Sequence, residues 1–318
     1  MSTDMTYSQL GGSGLTVSTV GLGCNNFGAR MADEDVPDVV HAAIDAGITL
    51  FDTADVYGNC GGSETLLGKA LGRRRAEVII ATKFGSDMQG ANGPDWGARG
   101  SRRYIRIAVE ASLRRLGTDW IDLYQLHTPD PNTPIEETLA ALSELVVEGK
   151  VRYIGSSNLA GWQVIDADWT ARTDGYEAFI AAQNEYSWLD RSAEEELIPA
   201  LEHIGLSLLP YFPLARGLLT AKYRRGEPPP SGTRLAKQTQ ALEHANFDVI
   251  EALERFAEER GLGMTQIAIG GLAALPTVGS VIAGATSVDQ VKQNAADGLW
   301  APSADDLEQL LTITEPMA

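Results

Sequence analysis

Four residues in the first half of the chain have types and settings suited to moving a proton. The stretch "LFDTADVYGNCGGSETLLGKAL" opens as an apolar run, reaches Asp52, and carries Tyr57 in the glycine-rich turn that follows. "VIIATK" ends in Lys83 and "IDLYQLH" ends in His127, each where an apolar run stops. Taken singly, each has an ordinary explanation: a turn aspartate, an amphipathic tyrosine, a solvated lysine. Gathered on one rim, they would form an acid aimed at a carbonyl oxygen. A free tyrosine, with a pKa of about 10, is a weak proton donor at neutral pH. An ammonium about 4 Å away is worth roughly 4 kcal/mol at an effective dielectric near 20, enough to lower that pKa by about three units. Asp52 would return part of that shift while keeping Lys83 charged and in place. His127 would donate a hydrogen bond to the substrate oxygen or help relay its proton.

Such a set supplies no nucleophile for the carbonyl carbon. Neither Cys24 nor Cys60 has an evident histidine partner, and there is no G-x-S-x-G elbow. A cofactor must therefore act, and hydride from a nicotinamide is the natural choice. No G-x-G-x-x-G follows the first strand, which argues against a Rossmann site. Later strand ends offer another set: Ser157, Asn158 and Gln183 suit a carboxamide, and Tyr211 could stack on a pyridine ring. "GATSVDQVKQN" presents a helix start to a phosphate, although a capping box explains Ser287 and Gln290 equally well. His41, His203 and His244 lack ligand spacing, so no metal site is expected. Trp96, Trp162, Trp188 and Trp300 are candidate pocket walls, Trp188 foremost, and the loops Gly85–Gly100 and Gly226–Gln240 should shape the pocket. Glu64 needs no role beyond pairing with a neighbouring helix.

The elements that must position these residues recur in a strict rhythm. "VSTVGLG", "ITLFDT", "VIIATK", "IDLYQLH", "VRYIGSSN", "FIAAQNE", "LSLLPYF" and "SVIAGAT" read as buried parallel strands separated by helical stretches. That alternation predicts a parallel barrel or an open doubly wound sheet. Thr133 to Glu136, Ser192 to Glu195 and Ser287 to Gln290 predict capping boxes. Ile135, Leu139, Leu142 and Val146 mark the buried face of one helix. "YSQLGGSGLTV" predicts a hairpin turning on Gly11–Gly14, "RRGEPPPSGTRLAKQTQ" a loop, and "SADDLEQLLTITEPMA" an extra helix. With no linker in view, residues 1–318 are expected to form one domain.

Composition narrows the function classes. With 44% hydrophobic and 21% charged residues, the chain fits a soluble globular protein. A formal net charge of −18 opposes binding to nucleic acid or anionic membranes. No membrane-spanning run or signal-peptide pattern is present, and two cysteines are too few for a disulfide framework, so a cytoplasmic protein is expected. Between Arg216 and Lys237 the balance reverses to six cations and one acid. That segment reads either as a solvated loop or as a clamp over cofactor phosphates.

Taken together, the quoted stretches, with "SLRRLGTDWIDLYQLHTPD", "QNEYSWLDR" and "YFPLARGLLTAKY", resemble the aldo-keto reductase family nearly from end to end. The resemblance implies a (β/α)8 barrel with an N-terminal hairpin and an NADPH-dependent reduction of a small carbonyl compound. By motif, Tyr57 would be the general acid, Lys83 and Asp52 its tuning pair, and His127 the orienting residue. Ser157, Asn158 and Gln183 would hold the carboxamide and Tyr211 would stack on the nicotinamide. Pro213, Leu214, Arg216 and Gly217 would line the pyrophosphate path. Gly284, Thr286, Ser287, Gln290, Gln293 and Asn294 would surround the adenosine phosphate. Two departures stand out: "IAIGGLAAL" lacks a tryptophan common before the eighth strand, and "TSVDQ" lacks a strong base. A redox-sensing regulatory subunit with little turnover is the alternative on the same fold. The carbonyl substrate, and the choice between a monomer and a small homo-oligomer, stay open.

Overall fold

Side chains alternate across a strand, and the short apolar runs use this to fill a closed barrel. The computed structural model describes residues 5–231, 233–237, 242 and 244–315. A hairpin of β1 (Tyr7–Gln9) and β2 (Thr16–Ser18) precedes eight parallel strands. These are β3 (Val20–Gly23), β4 (Leu50–Asp52), β5 (Ile79–Phe84), β6 (Ile121–Leu126), β7 (Val151–Ser157), β8 (Phe179–Gln183), β9 (Ser207–Leu208) and β10 (Val281–Gly284). They neighbour one another in the order β10-β3-β4-β5-β6-β7-β8-β9. The seam between β9 and β10 closes through Leu208 N donating to Thr277 O at 2.7 Å and Ile282 N donating to Pro210 O at 2.9 Å. The result is the expected (β/α)8 barrel rather than the open sheet.

Helices cover the outside: α1 (Val36–Asp45), α2 (Tyr57–Leu71), α3 (Arg102–Leu116), α4 (Ile135–Val147), α5 (Gly161–Asp174), α6 (Leu197–Ile204), α7 (Phe247–Arg260), α8 (Met264–Ala273) and α9 (Val288–Asp297). The extra C-terminal helix, α10 (Ala304–Ile313), starts from a capping box formed by Ser303 and Asp306. The hairpin plugs the barrel floor. Leu10, Leu15 and Val17 pack with the inward residues Leu50, Ala81, Leu123, Ala181, Leu209 and Ile282. Among the described residues no helix is long and apolar enough to cross a membrane.

Several local expectations are corrected. Thr133 does not cap α4, because its hydroxyl donates to Asp130 Oδ2 at 2.7 Å and Pro134 takes the cap position. Near Ser192 the capping pattern also fails: the Ser192 hydroxyl donates to Asp190 Oδ1 at 2.7 Å, and Arg191 takes the cap position. Trp188 is no pocket wall. It is 1% exposed, and its Nε1 donates to Ile267 O at 2.9 Å. Its ring lies over Gly271, where an added Cβ would stand 3.1 Å from Cζ2. α8 thus carries glycine where a tryptophan from outside that helix fills the space. Trp96 and Trp162 are exposed on the surface, and Trp300 packs at the edge of the main core. We expect Gly271→Val to destabilise the fold by roughly 1–3 kcal/mol through overpacking against Trp188, read from urea unfolding midpoints. An unchanged midpoint would show that this contact is loose.

Candidate active site

Alternation also lifts a polar layer above the apolar floor. Leu50 faces the barrel interior, and Asp52 follows it two residues later; Ala81 precedes Lys83, Leu123 precedes Gln125, and Ala181 precedes Gln183 in the same way. His127 lies just beyond β6, its backbone N–H donating to Phe84 O at 2.7 Å. Lys83 is fully buried, and a buried charge must be paired and hydrogen-bonded. Its ammonium donates to Asp52 Oδ1, Asp52 Oδ2 and Thr53 O, each at 2.8 Å. Gln183 Nε2 donates a further hydrogen bond to Asp52 Oδ1 at 2.8 Å. The same ammonium lies 5.0 Å from the centroid of the Tyr57 ring, which meets His127 edge to face at 5.6 Å. The four residues expected to act together are brought together.

Their electrostatics differ from the simple expectation. Burial works against the charge on Lys83, but Asp52 and Tyr57 outweigh it and hold its pKa above that of a free lysine. For Tyr57 burial is the largest influence, and it leaves the phenol above its usual 10.0 despite the pull of Lys83. The anticipated lowering is therefore overturned: the ammonium is shared with Asp52, whose charge also opposes ionisation of the phenol. A proton held this firmly still passes readily to an alkoxide, which is far more basic than a phenolate. Burial, with the nearby Lys83 charge, lowers the His127 pKa to about 3. The imidazole is neutral at physiological pH, so a hydrogen-bonding role fits and a proton relay through imidazolium does not. Ser86 Oγ occupies Nδ1 at 3.0 Å, leaving Nε2 for a ligand. Cys24 is buried, and burial with Asp52 pushes its thiol well up, so it offers no thiolate.

Tyr57, His127 and Asp52 open into a cavity of about 1190 Å³. Its wall includes Ser157, Asn158, Gln183, Tyr211, Pro213 and Leu214, with Arg216 and Gly217 continuing the same side. At the far end stand Gly284, Thr286, Gln290, Gln293 and Asn294. Asn158 braces this wall: its Nδ2 donates to His127 O at 2.9 Å, and its Oδ1 accepts from the Tyr211 hydroxyl at 2.8 Å. Ser157 Oγ donates to Gln183 O at 2.8 Å. Asn158, Phe212 and Arg216 hold positive φ angles of 61°, 56° and 58°, conformations that cost energy and concentrate at ligand sites. Lys83 and Ser287 do not line the cavity. Lys83 lies beneath it, and Ser287 Oγ accepts the Gln290 N–H at 3.3 Å as a helix cap. Gln290 Oε1 reaches back to Thr286 N at 2.8 Å, so this helix start is preformed by its own side chains.

Sequence reasoning misplaced part of the wall. The 85–100 loop does not line the cavity; it supplies Ser86 to His127, and Met88 and Asn92 are buried. Asn25, Asn26, Ala29 and Arg30, between β3 and α1, line it instead. Their one sequence signal is their position after a barrel strand, where such sites gather. The basic segment also divides. Arg224 pairs with Glu254, and Arg225 pairs with Asp248 and with Glu251 at 2.9 Å, so both are tied to α7 rather than to the cavity. From that segment Arg216 and Lys222 reach the cavity wall, and Arg216 also pairs with Glu185 at 3.2 Å. The side chains of Arg234 and Lys237 lie outside the described residues. No group of three or more His, Cys, Asp or Glu side chains suited to a metal occurs among the described residues.

A buried lysine–aspartate pair thus stands beneath a tyrosine and a histidine at the C-terminal rim of the barrel. The profile of the Aldo/keto reductase family covers residues 19–313. This chain belongs to the aldo/keto reductase family. It is 37% identical to "Uncharacterized oxidoreductase YrpG" of Bacillus subtilis (strain 168), over 91% of this chain and 89% of that protein. "Versiconal hemiacetal acetate reductase" of Aspergillus parasiticus is 35% identical over 92% of each chain. "Probable voltage-gated potassium channel subunit beta" of Oryza sativa subsp. japonica is 35% identical over 91% of this chain and 90% of its own. The family places the chain among oxidoreductases.

The neutral imidazole carries a pH signature. The unfolded chain takes up a proton on His127 near pH 6.5 that the folded chain refuses until about 3, so stability falls as pH drops through that interval. The urea midpoint of the wild type should therefore fall more between pH 7 and pH 5 than that of His127→Asn. Equal losses in the two proteins would mean that His127 is not held neutral.

Proposed function

We propose that the protein reduces an aldehyde or ketone to an alcohol with NADPH, Tyr57 acting as the general acid. The observation that carries this reading is the convergence of Tyr57, His127 and the Lys83–Asp52 pair beneath a long cavity with polar and apolar walls. A cavity of about 1190 Å³ exceeds what a small carbonyl compound requires and suits a dinucleotide with a substrate beside it. Gln183 uses Nε2 on Asp52, so its Oε1 remains for a carboxamide N–H, while Tyr211 offers a ring face. Pro213, Leu214, Arg216 and Gly217 would follow the pyrophosphate. Gly284, Thr286, Gln290, Gln293 and Asn294 would meet the adenosine phosphate, with Ser287 capping the helix behind them. When bound, reduced nicotinamide supplies the hydride that no side chain here can provide.

The side chains then have separable tasks. Neutral His127 donates from Nε2 to the carbonyl oxygen and fixes its direction. Tyr57 delivers its hydroxyl proton to that oxygen as negative charge develops. Lys83 stabilises the phenolate left behind, and Asp52 keeps the ammonium charged and stationary. A cytoplasmic site of action accords with the low cysteine count. The relatives named as channel β subunits favour, as a second reading, a cofactor-binding regulatory protein with little turnover. The complete acid assembly favours catalysis, since a sensor has less need of a proton donor.

Tyr57→Phe should lower kcat by about a hundred-fold or more while NADPH still binds, measured by loss of absorbance at 340 nm with a panel of aldehydes and by fluorescence titration. Near wild-type kcat would remove Tyr57 as the acid, and no turnover by the wild type would favour the regulatory reading. The ratio of kcat/KM for NADPH over NADH should exceed one. Equal values would leave the Thr286–Gln290 turn as a helix cap alone.

A further inference from the structure

We propose that Arg115, on the outside of the barrel, is a positioning residue for Tyr57. This rests on the reading of Tyr57 as the acid. Tyr57 stands in a turn whose backbone is unusual. Gly58, Asn59 and Cys60 follow it with φ angles of 66°, 60° and 63°, a short left-handed coil inside the span assigned to α2. Left-handed conformations are unfavourable for non-glycine residues and persist only where the surroundings enforce them. The source of that enforcement is a closed ring of hydrogen bonds behind the turn.

The ring begins on β5. Thr82 Oγ1 donates to Glu64 Oε1 at 2.6 Å, and Arg115 Nε donates to Glu64 Oε2 at 2.6 Å. Arg115 Nη1 donates to Asn92 Oδ1 at 2.9 Å, and Asn92 Nδ2 donates to Asp55 Oδ2 at 3.2 Å. Asp55 N then donates to Lys83 O at 3.1 Å, returning the path to β5 one residue beyond Thr82. Asp55 and Glu64 bracket Tyr57 in sequence, so both ends of its turn are fastened to the strand that carries Lys83. Arg115 also fills the space under the coil. A Cβ on Gly61 would fall 2.4 Å from Arg115 Cδ, and Gly61 itself has φ 115°. Glu64, Asp55 and Asn92 are buried, so water cannot replace the lost partners cheaply. Burial and the charge of Glu64 raise the Asp55 pKa to about 8, so this carboxyl keeps its proton at neutral pH and does not compete with Glu64 for the guanidinium.

The ordinary alternative is an ion pair that merely ties α2 to α3. The two differ in what Arg115 controls. A tie affects stability; a positioning residue affects the distance over which Tyr57 must deliver its proton. Small misplacements of a reacting group can cost large factors in rate.

The experiment compares Arg115→Lys, Glu64→Gln and Asn92→Ala with the wild type and with Tyr57→Phe, all folded by circular dichroism at 25 °C. We expect kcat to fall on the order of ten-fold in the three ring variants. NADPH Kd should stay within about two-fold, because the ring lies off the cavity wall. The solvent deuterium isotope effect on kcat should rise as proton delivery becomes limiting. Lower melting temperatures with wild-type kcat and isotope effect, while Tyr57→Phe is inactive, would overturn the proposal and leave the ring as architecture. Wild-type kcat in Tyr57→Phe would overturn it together with the functional reading on which it rests.

Discussion

A fully buried ammonium cannot exist in this barrel without Asp52. Lys83 donates to both carboxylate oxygens at 2.8 Å, and removal of such a partner typically costs about 3–5 kcal/mol because it strands a charge. This one pair constrains much around it. β4 and β5 must be neighbours in parallel register, with Asp52 opposite Ala81, so that Lys83 one pleat further on meets the carboxylate. Gln183 must come from β8, across the barrel, to share Asp52. The Tyr57 turn must sit above the ammonium, within the 5.0 Å that separates charge from ring. The hairpin plug below lets this polar layer exist by keeping water out of the floor.

The long wall of the cavity obeys a different demand. Tyr211, Asn158 and Ser157 form a hydrogen-bonded brace rather than a row of free donors, and nearby residues hold costly positive φ angles. Rigidity of this kind suits an extended ligand that must present one atom to the rim. Relatives named as a reductase and as channel β subunits show that one fold hosts different duties, so function rests on the site and not on the barrel.

Much of this was legible in the sequence because it depends on local pattern. The eight strands follow from short apolar runs, and Asp52, Lys83 and His127 stand where those runs end. Effects that act across the chain were not legible. Arg224 and Arg225 find acids on α7, more than twenty residues away. The Asn25–Arg30 wall shows no residue pattern of its own. Trp188 reads as a pocket wall beside a rim motif, yet Gly271 opens a place for it in the core. The direction of the Tyr57 pKa depends on burial, which no spacing of residues reveals. The left-handed coil after Tyr57 is equally hidden, because glycine permits it without requiring it.

The central claim is that Tyr57 gives up a proton while hydride reaches the carbonyl carbon. Stopped-flow oxidation of bound NADPH in a single turnover, recorded in H2O and D2O, tests it most directly. The account predicts a normal solvent isotope effect on the hydride-transfer phase of the wild type, and none on the residual phase of Tyr57→Phe. Identical isotope effects in the two proteins would contradict it, since the proton would then come from another source.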